Sequence, residues 1–73
     1  MRKTFKLEDL ECANCAAKME TGIKKIDGVT YASVNFIMQK LTLEADDAIF
    51  ASCVKEAQKV IKKFEPDCRI LVK

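Results

Sequence analysis

Apolar and polar residues alternate with a period of two in four segments of this chain. These segments are Arg2–Leu10, Val29–Phe36, Lys40–Glu44 and Cys68–Val72. Alternation of this kind is typical of β-strands that bury one face and expose the other. The pattern therefore predicts four strands, and the second and third form a hairpin with a longer loop that contains no glycine.

Between these strands the apolar period changes to three or four, which indicates two amphipathic helices. The first extends from Ala13 to near Lys25, after which Gly28 interrupts the pattern. The second follows Asp46 or Asp47, either of which can cap it, and ends before Pro66. We expect each helix to bury one apolar stripe.

The predicted order is strand, helix, strand, strand, helix, strand. Two strand–helix–strand crossovers of the preferred hand interlock into one antiparallel sheet. The expected fold is α+β: a ferredoxin-like βαββαβ sandwich with a four-stranded antiparallel sheet and both helices on one face. Residues 1–73 contain no linker-like or low-complexity tract, which predicts a single domain.

Composition narrows the possible partners. The 13 basic and 11 acidic residues are mixed along the chain, and the net charge of +2 does not favour nucleic acid. Tyr31 and Arg69 are too sparse for an RNA-binding sheet face. No apolar run approaches the roughly 18 residues of a membrane span, and no signal-peptide pattern follows Met1, so a soluble cytosolic module is expected.

The four cysteines divide into a close pair and two isolated residues. Cys12 and Cys15 stand where a strand gives way to a helix, and the N–H groups and dipole of a helix start favour thiolate. Cys53 and Cys68 fall on apolar faces, where a free cysteine is an ordinary core residue. Without a secretion signal, and with enough apolar residues for a core, disulfides are not expected.

Two thiolates in a chain without histidine make an incomplete metal site. Structural zinc normally takes four protein ligands, whereas Cu(I) accepts two sulfurs. An open coordination sphere suits a carrier, since a partner's ligand can enter, and it also allows a metal-bridged homodimer. The alternatives for Cys12 and Cys15 are a dithiol redox centre and two small core residues.

The residues just before Cys12 affect which metal is preferred. Glu11 is either an oxygen ligand that shifts preference towards Zn²⁺, Cd²⁺ or Pb²⁺, or a solvated charge near the helix N-terminus. Asp9 fits the second description better. Leu10 is expected to turn inward and anchor the loop, and Phe64 to pack beneath it.

With these residues placed, the chain resembles a heavy-metal-associated domain, the family of copper chaperones and of N-terminal modules of P1B-type metal-transporting ATPases. The family's Gly-Met-x-Cys-x-x-Cys loop falls on residues 9–15, read here as Asp-Leu-Glu-Cys-Ala-Asn-Cys. Its Gly-Val and Val-Asn pairs fall on Gly28-Val29 and Val34-Asn35, and its late aromatic residue on Phe64. The departures are Asp9, Leu10 and Glu11.

The resemblance implies a metal-binding module for regulation or delivery in a cation-exporting P-type ATPase. An acidic residue beside the first cysteine is typical of the zinc and cadmium pumps, which makes Glu11 a third ligand with Cys12 and Cys15. The implied ion is Zn²⁺, Cd²⁺ or Pb²⁺, with Cu(I) as the alternative. The module would be cytoplasmic and its parent pump would lie in the plasma (inner) membrane. ATP hydrolysis would belong to the rest of that pump, because these residues contain no phosphorylatable aspartate motif.

Overall fold

A computed structural model describes residues 1–71, and Val72 and Lys73 at the end of the predicted last strand lie outside the described residues. The elements follow the predicted order. They are β1 (Arg2–Glu8), α1 (Ala13–Lys24), β2 (Val29–Asn35), β3 (Lys40–Ala45), a 3-10 turn (Asp47–Ile49), α2 (Phe50–Phe64) and β4 (Arg69–Leu71).

The four strands form one sheet in the order β2-β3-β1-β4, and all neighbouring strands are antiparallel. The sequence neighbours β2 and β3 form a hairpin, whereas β1 lies between β3 and β4. Leu7, for example, is opposite Ile70 of β4. This is the predicted ferredoxin-like architecture, in which both helices cover one face of the sheet.

The core lies between that sheet face and the two helices. On α1, Ala16, Met19 and Ile23 recur at intervals of three and four and are buried, as the helical period requires. Met19 and Ile23 have no exposed surface, which confirms Met19 as a core residue. The sheet and α2 also meet through stacked Phe5 and Phe50 rings, whose centroids are 6.1 Å apart.

The second helix begins later than predicted. The Asp46 carboxylate accepts a hydrogen bond from the N–H of Ala48 at 3.1 Å, so Asp46 caps the 3-10 turn instead of α2 itself. Ile49 then adopts a non-helical ψ of 8° and separates the turn from α2. The prediction that Asp46 or Asp47 caps the second helix is therefore wrong, because the local pattern does not distinguish a 3-10 turn from the first turn of an α-helix.

Two non-glycine residues next to strands have a positive φ. Asp9, with φ of 63°, follows β1, and Gln39, with φ of 56°, precedes β3. The β2–β3 turn occupies residues 36–39, and its N-terminal side is held by Asn35, whose carbonyl Oδ1 accepts the N–H of Met38 at 2.9 Å. An Asx-type turn and a left-handed residue thus replace the glycine that the loop lacks.

Within residues 1–71, every helix is too short or too polar to cross a bilayer.

Candidate metal centre

Cys12 is the N-cap residue of α1. Its backbone is extended, with φ of −125° and ψ of 115°, and its Sγ accepts a hydrogen bond from the N–H of Cys15 at 3.2 Å. A cap side chain normally offers oxygen to the unpaired N–H groups of the first turn. Here sulfur takes that place, because the first cysteine of the pair falls at the cap and the second lies three residues later.

The pKa values of the two thiols are shifted in opposite directions. A hydrogen bond from the Cys15 side chain, and then one from the Cys15 backbone, lower the pKa of Cys12. The same side-chain interaction, followed by desolvation, raises the pKa of Cys15. Of the two thiols, Cys12 is therefore the one whose environment favours the thiolate. Thiolate is the form of cysteine that binds metals and attacks disulfides.

The residues before the pair form a short connection, the metal loop (Asp9–Cys12). Asp9 stands where the resembled family has glycine, and its left-handed backbone explains why glycine suits that position. Leu10 is only 2% exposed and belongs to the core, which confirms that it turns inward as predicted. The loop is thus fixed on its inner side.

A glutamine from the β2–β3 turn also holds the metal loop. The Gln39 Oε1 accepts the N–H of Leu10 at 3.1 Å, and its Nε2 donates to the Leu10 carbonyl. The sequence patterns did not identify this contact, since 29 residues separate the two positions. The local signal that could have indicated it is the absence of glycine from this turn.

Glu65, just after α2, holds the loop from the other side. Its Oε2 accepts the N–H of Glu11 at 3.2 Å, across 54 residues of sequence. Its charge also tends to raise the pKa of both Cys12 and Cys15. Glu65 was missed by the sequence reasoning, although its neighbour Phe64 was assigned to this loop.

An open depression of about 690 Å³ lies beside the metal loop, between it and the α2–β4 connection. Four carboxylates, with Lys62 and Arg69, contribute to its lining: those of Asp9, Glu11, Glu65 and Asp67. Phe64 also lines the depression, and 36% of its surface is exposed. The prediction that Phe64 packs beneath the loop is therefore wrong.

Glu11 is exposed, and its carboxylate does not join the thiols in a preformed cluster. Among residues 1–71, no three cysteine, aspartate or glutamate side chains are placed to hold one ion together. The structure brings together Cys12 and Cys15, with the backbone of Glu11 beside them. The role of Glu11 as third ligand stays a prediction.

The other two cysteines are structural. All four cysteines are free thiols, as expected, and Cys53 and Cys68 are buried in the core. Burial raises the pKa of Cys68 to about 11, and the charges of Glu65 and Asp9 act in the same direction. A thiol that stays neutral at physiological pH is a poor metal ligand.

The sequence is similar to those of known proteins. A family model described as the heavy-metal-associated domain matches residues 4–51. The cadmium, zinc and cobalt-transporting ATPase of Bacillus subtilis (strain 168) is 33% identical over 66 residues, 90% of this chain and 9% of the relative. The zinc/cadmium/lead-transporting P-type ATPase of Escherichia coli (strain K12) is 34% identical over 58 residues, 80% of this chain and 8% of the relative. The chain thus spans less than a tenth of the length of these relatives.

A solved structure from a copper protein is also similar. It is the N-terminal domain of a potential copper-translocating P-type ATPase from Bacillus subtilis, in the Cu(I)-loaded state. The TM-score is 0.72 and the sequence identity is 28%, and the match covers 94% of this chain and 84% of the solved chain.

Proposed function

This chain belongs to the heavy-metal-associated domain family, and we propose that it binds one soft divalent cation, Zn²⁺, Cd²⁺ or Pb²⁺, through Cys12 and Cys15 with Glu11 as third ligand. The observation that supports this most is the Cys12 sulfur at the N-cap of α1, where the Cys15 N–H reaches it at 3.2 Å. The lowered pKa of Cys12 prepares one ligand for the ion.

The charges around the loop favour a divalent over a monovalent ion. Two thiolates already neutralise a divalent cation, whereas they leave Cu(I) with a net negative charge. Carboxylates add further negative charge and harder oxygen donors, which suit Zn²⁺ and Cd²⁺ better than Cu(I). Glu11 supplies such an oxygen next to Cys12, and because its side chain is exposed it can rotate towards the thiols without disturbing the core.

Glu65 is a second source of oxygen. Its carboxylate lies against the metal loop, bonded to the N–H of Glu11. On ion binding it either keeps this hydrogen bond, and supports Glu11 as ligand, or leaves it and coordinates the ion itself. The experiment below separates these two roles.

In the parent protein the module serves regulation or delivery for a cation-exporting P-type ATPase of the plasma (inner) membrane, from its cytoplasmic side. The relatives named as cadmium, zinc and lead transporters support this assignment. The ion leaves by ligand exchange, because two sulfurs and one oxygen leave a side open to incoming groups. The same open side permits a metal-bridged homodimer at excess protein.

The test is a titration of the reduced protein with Cd²⁺, followed by the thiolate-to-metal absorption band and by ¹¹³Cd NMR. We expect one equivalent to bind, with a chemical shift that reports mixed sulfur and oxygen donors. Since binding releases thiol protons, the affinity should fall as the pH is lowered. Sedimentation at a two-to-one ratio of protein to metal tests the homodimer.

Matched variants assign the ligands. Replacing Cys12 and Cys15 by serine should abolish binding, whereas Cys53→Ala should retain it. Glu11→Gln should move the ¹¹³Cd shift towards an all-sulfur environment, and Glu56→Gln, an exposed glutamate on α2, should not. If Glu65→Gln moves the shift and Glu11→Gln does not, Glu65 is the third ligand. Retained binding in the double serine variant would refute the site.

A Cu(I) function is the second candidate, and the Cu(I)-loaded relative supports it. Two sulfurs suffice for Cu(I), so its affinity should not depend on Glu11. If Glu11→Gln leaves Zn²⁺ and Cd²⁺ binding unchanged while Cu(I) binds far more tightly than either, the copper function is the better description. Reduction of insulin at a rate comparable to thioredoxin would instead support a dithiol redox function for the pair.

A further inference from the structure

We propose that Gln39 is a positioning residue for the metal site: its side-chain amide grips the backbone of Leu10 and so sets the path of the metal loop into Cys12. The inference rests on the proposed metal-binding function. It concerns a residue of the β2–β3 turn that is 27 positions from the first thiol in sequence and touches neither thiol.

The contact replaces a missing strand partner. β1 ends at Glu8, so the backbone of Leu10 has no place in the sheet, yet its side chain is buried. Buried backbone N–H and C=O groups need hydrogen-bond partners. The Gln39 amide supplies both, since Oε1 accepts from the Leu10 N–H at 3.1 Å and Nε2 donates to the Leu10 carbonyl.

The turn itself is held in place to make this contact. The backbone carbonyl of Gln39 accepts the N–H of Leu7 at 2.7 Å, and its Nε2 also donates to the carbonyl of Phe36 at 3.2 Å. The glutamine therefore links the last part of β1, the turn and the metal loop. An amide is the neutral side-chain group that can both donate and accept in this way.

The backbone conformation of Gln39 strengthens the argument. Its φ of 56° lies in the left-handed region, where glycine would avoid the steric cost of a side chain. A residue kept in a disfavoured conformation points to a role for its side chain. That role is specific here, because the side chain bonds Leu10, two residues before the N-cap thiol of Cys12.

The consequence for the metal is preorganisation. Removing a group that orients the ligands of a metal without touching the ion commonly changes metal affinity by about 10–100-fold. Glu65 still holds the Glu11 N–H in such a variant. We therefore expect loss of the Gln39 amide to reduce Cd²⁺ affinity by about tenfold, the lower end of that range.

Two substitutions separate positioning from folding. Gln39→Met keeps the length of the side chain and loses both hydrogen bonds to Leu10. Gln39→Gly loses the same bonds but suits the left-handed backbone, so it should keep the thermal midpoint close to that of the wild type. The matched control is Gln58→Met, since Gln58 makes an equivalent pair of bonds to the carbonyl of Cys68 at 3.3 Å and the N–H of Ile70 at 2.8 Å.

The readouts are Cd²⁺ affinity, by competition with a chromophoric chelator, and hydrogen exchange of the Leu10 amide in the metal-free protein. We expect both Gln39 variants to lose Cd²⁺ affinity by about tenfold and to exchange the Leu10 amide hydrogen faster. Gln58→Met should lower stability without changing affinity.

Unchanged affinity in both Gln39 variants, or an equal loss in Gln58→Met, would overturn the positioning role. An unchanged exchange rate at Leu10 would overturn the contact itself, independently of any metal. Failure of the wild type to bind Cd²⁺ would instead refute the proposed function, and the positioning role with it.

Discussion

Leu10 connects the stability of the fold to the geometry of the metal loop, and Leu10→Ala tests that connection. The side chain is 2% exposed and packs in the same core as the sheet and both helices. Truncation of a buried leucine costs about 2–5 kcal/mol, depending on how far the surroundings collapse into the cavity. Because Leu10 lies in a loop at the edge of the core, where partial collapse is easy, we expect about 3 kcal/mol.

This loss is large for a chain of 73 residues. At the usual 0.05–0.15 kcal/mol per residue, its free energy of unfolding would be roughly 4–11 kcal/mol. The variant should therefore still fold in the absence of denaturant, but with a clearly lower urea midpoint. Its Cd²⁺ affinity should also fall, because the loop before Cys12 loses its inner anchor.

The assay is urea unfolding of the reduced, metal-free protein, followed by far-UV circular dichroism. Leu10→Met is the matched variant, since methionine conserves the volume and should cost less than about 1.5 kcal/mol. A loss of less than about 1 kcal/mol in Leu10→Ala, well below the range for buried leucines, would show that the side chain does not anchor the loop. Equal losses in both variants would also contradict the packing argument.

Three further predictions concern backbone conformation and thiol ionisation. Gly28→Ala should lower stability by about 2 kcal/mol, because φ is 96° and the new Cβ would lie 2.2 Å from Cδ1 of Ile49; an unchanged thermal midpoint would contradict this. Asp9→Gly should raise stability by about 0.5 kcal/mol, as relief of the left-handed backbone outweighs the added chain entropy, and a measured loss would refute it. Folding raises the pKa of Cys68 from 9.0 to about 11. The contribution of this thiol to the free energy of unfolding is therefore complete below pH 9 and is lost as the pH rises towards 11, where the unfolded state ionises first. Urea midpoints across that range should fall less in Cys68→Ala than in the wild type, and equal slopes would exclude Cys68 as the cause.

Local patterns were sufficient for most of the fold. The spacing of Ala16, Met19 and Ile23 predicts the buried face of α1. The alternation in the last strand predicts that the side chains of Cys68 and Ile70 lie in the core, and both are buried. These predictions hold because helix and strand periods are properties of neighbouring residues. The first residue of α2 does not follow from the local pattern, because an aspartate such as Asp46 caps a 3-10 turn as readily as an α-helix.

The candidate site was predicted only in its local part. Cys12 and Cys15 lie three residues apart, so a helix start brings their side chains together whatever the rest of the chain does. Phe64 shows where this reasoning stops. Its side chain lines the depression beside the metal loop, but whether it packs under that loop depends on the path of the α2–β4 connection.

Local patterns along the chain are enough to predict the order of the elements, their buried faces and the thiol pair at the start of α1. The contacts by which Gln39 and Glu65 hold Leu10 and Glu11, from opposite sides of the metal loop, depend instead on the packing of the whole domain. These contacts join residues 29 and 54 positions apart. They arise from how the sheet and helices pack, and no periodicity along the chain records which turns that packing brings together.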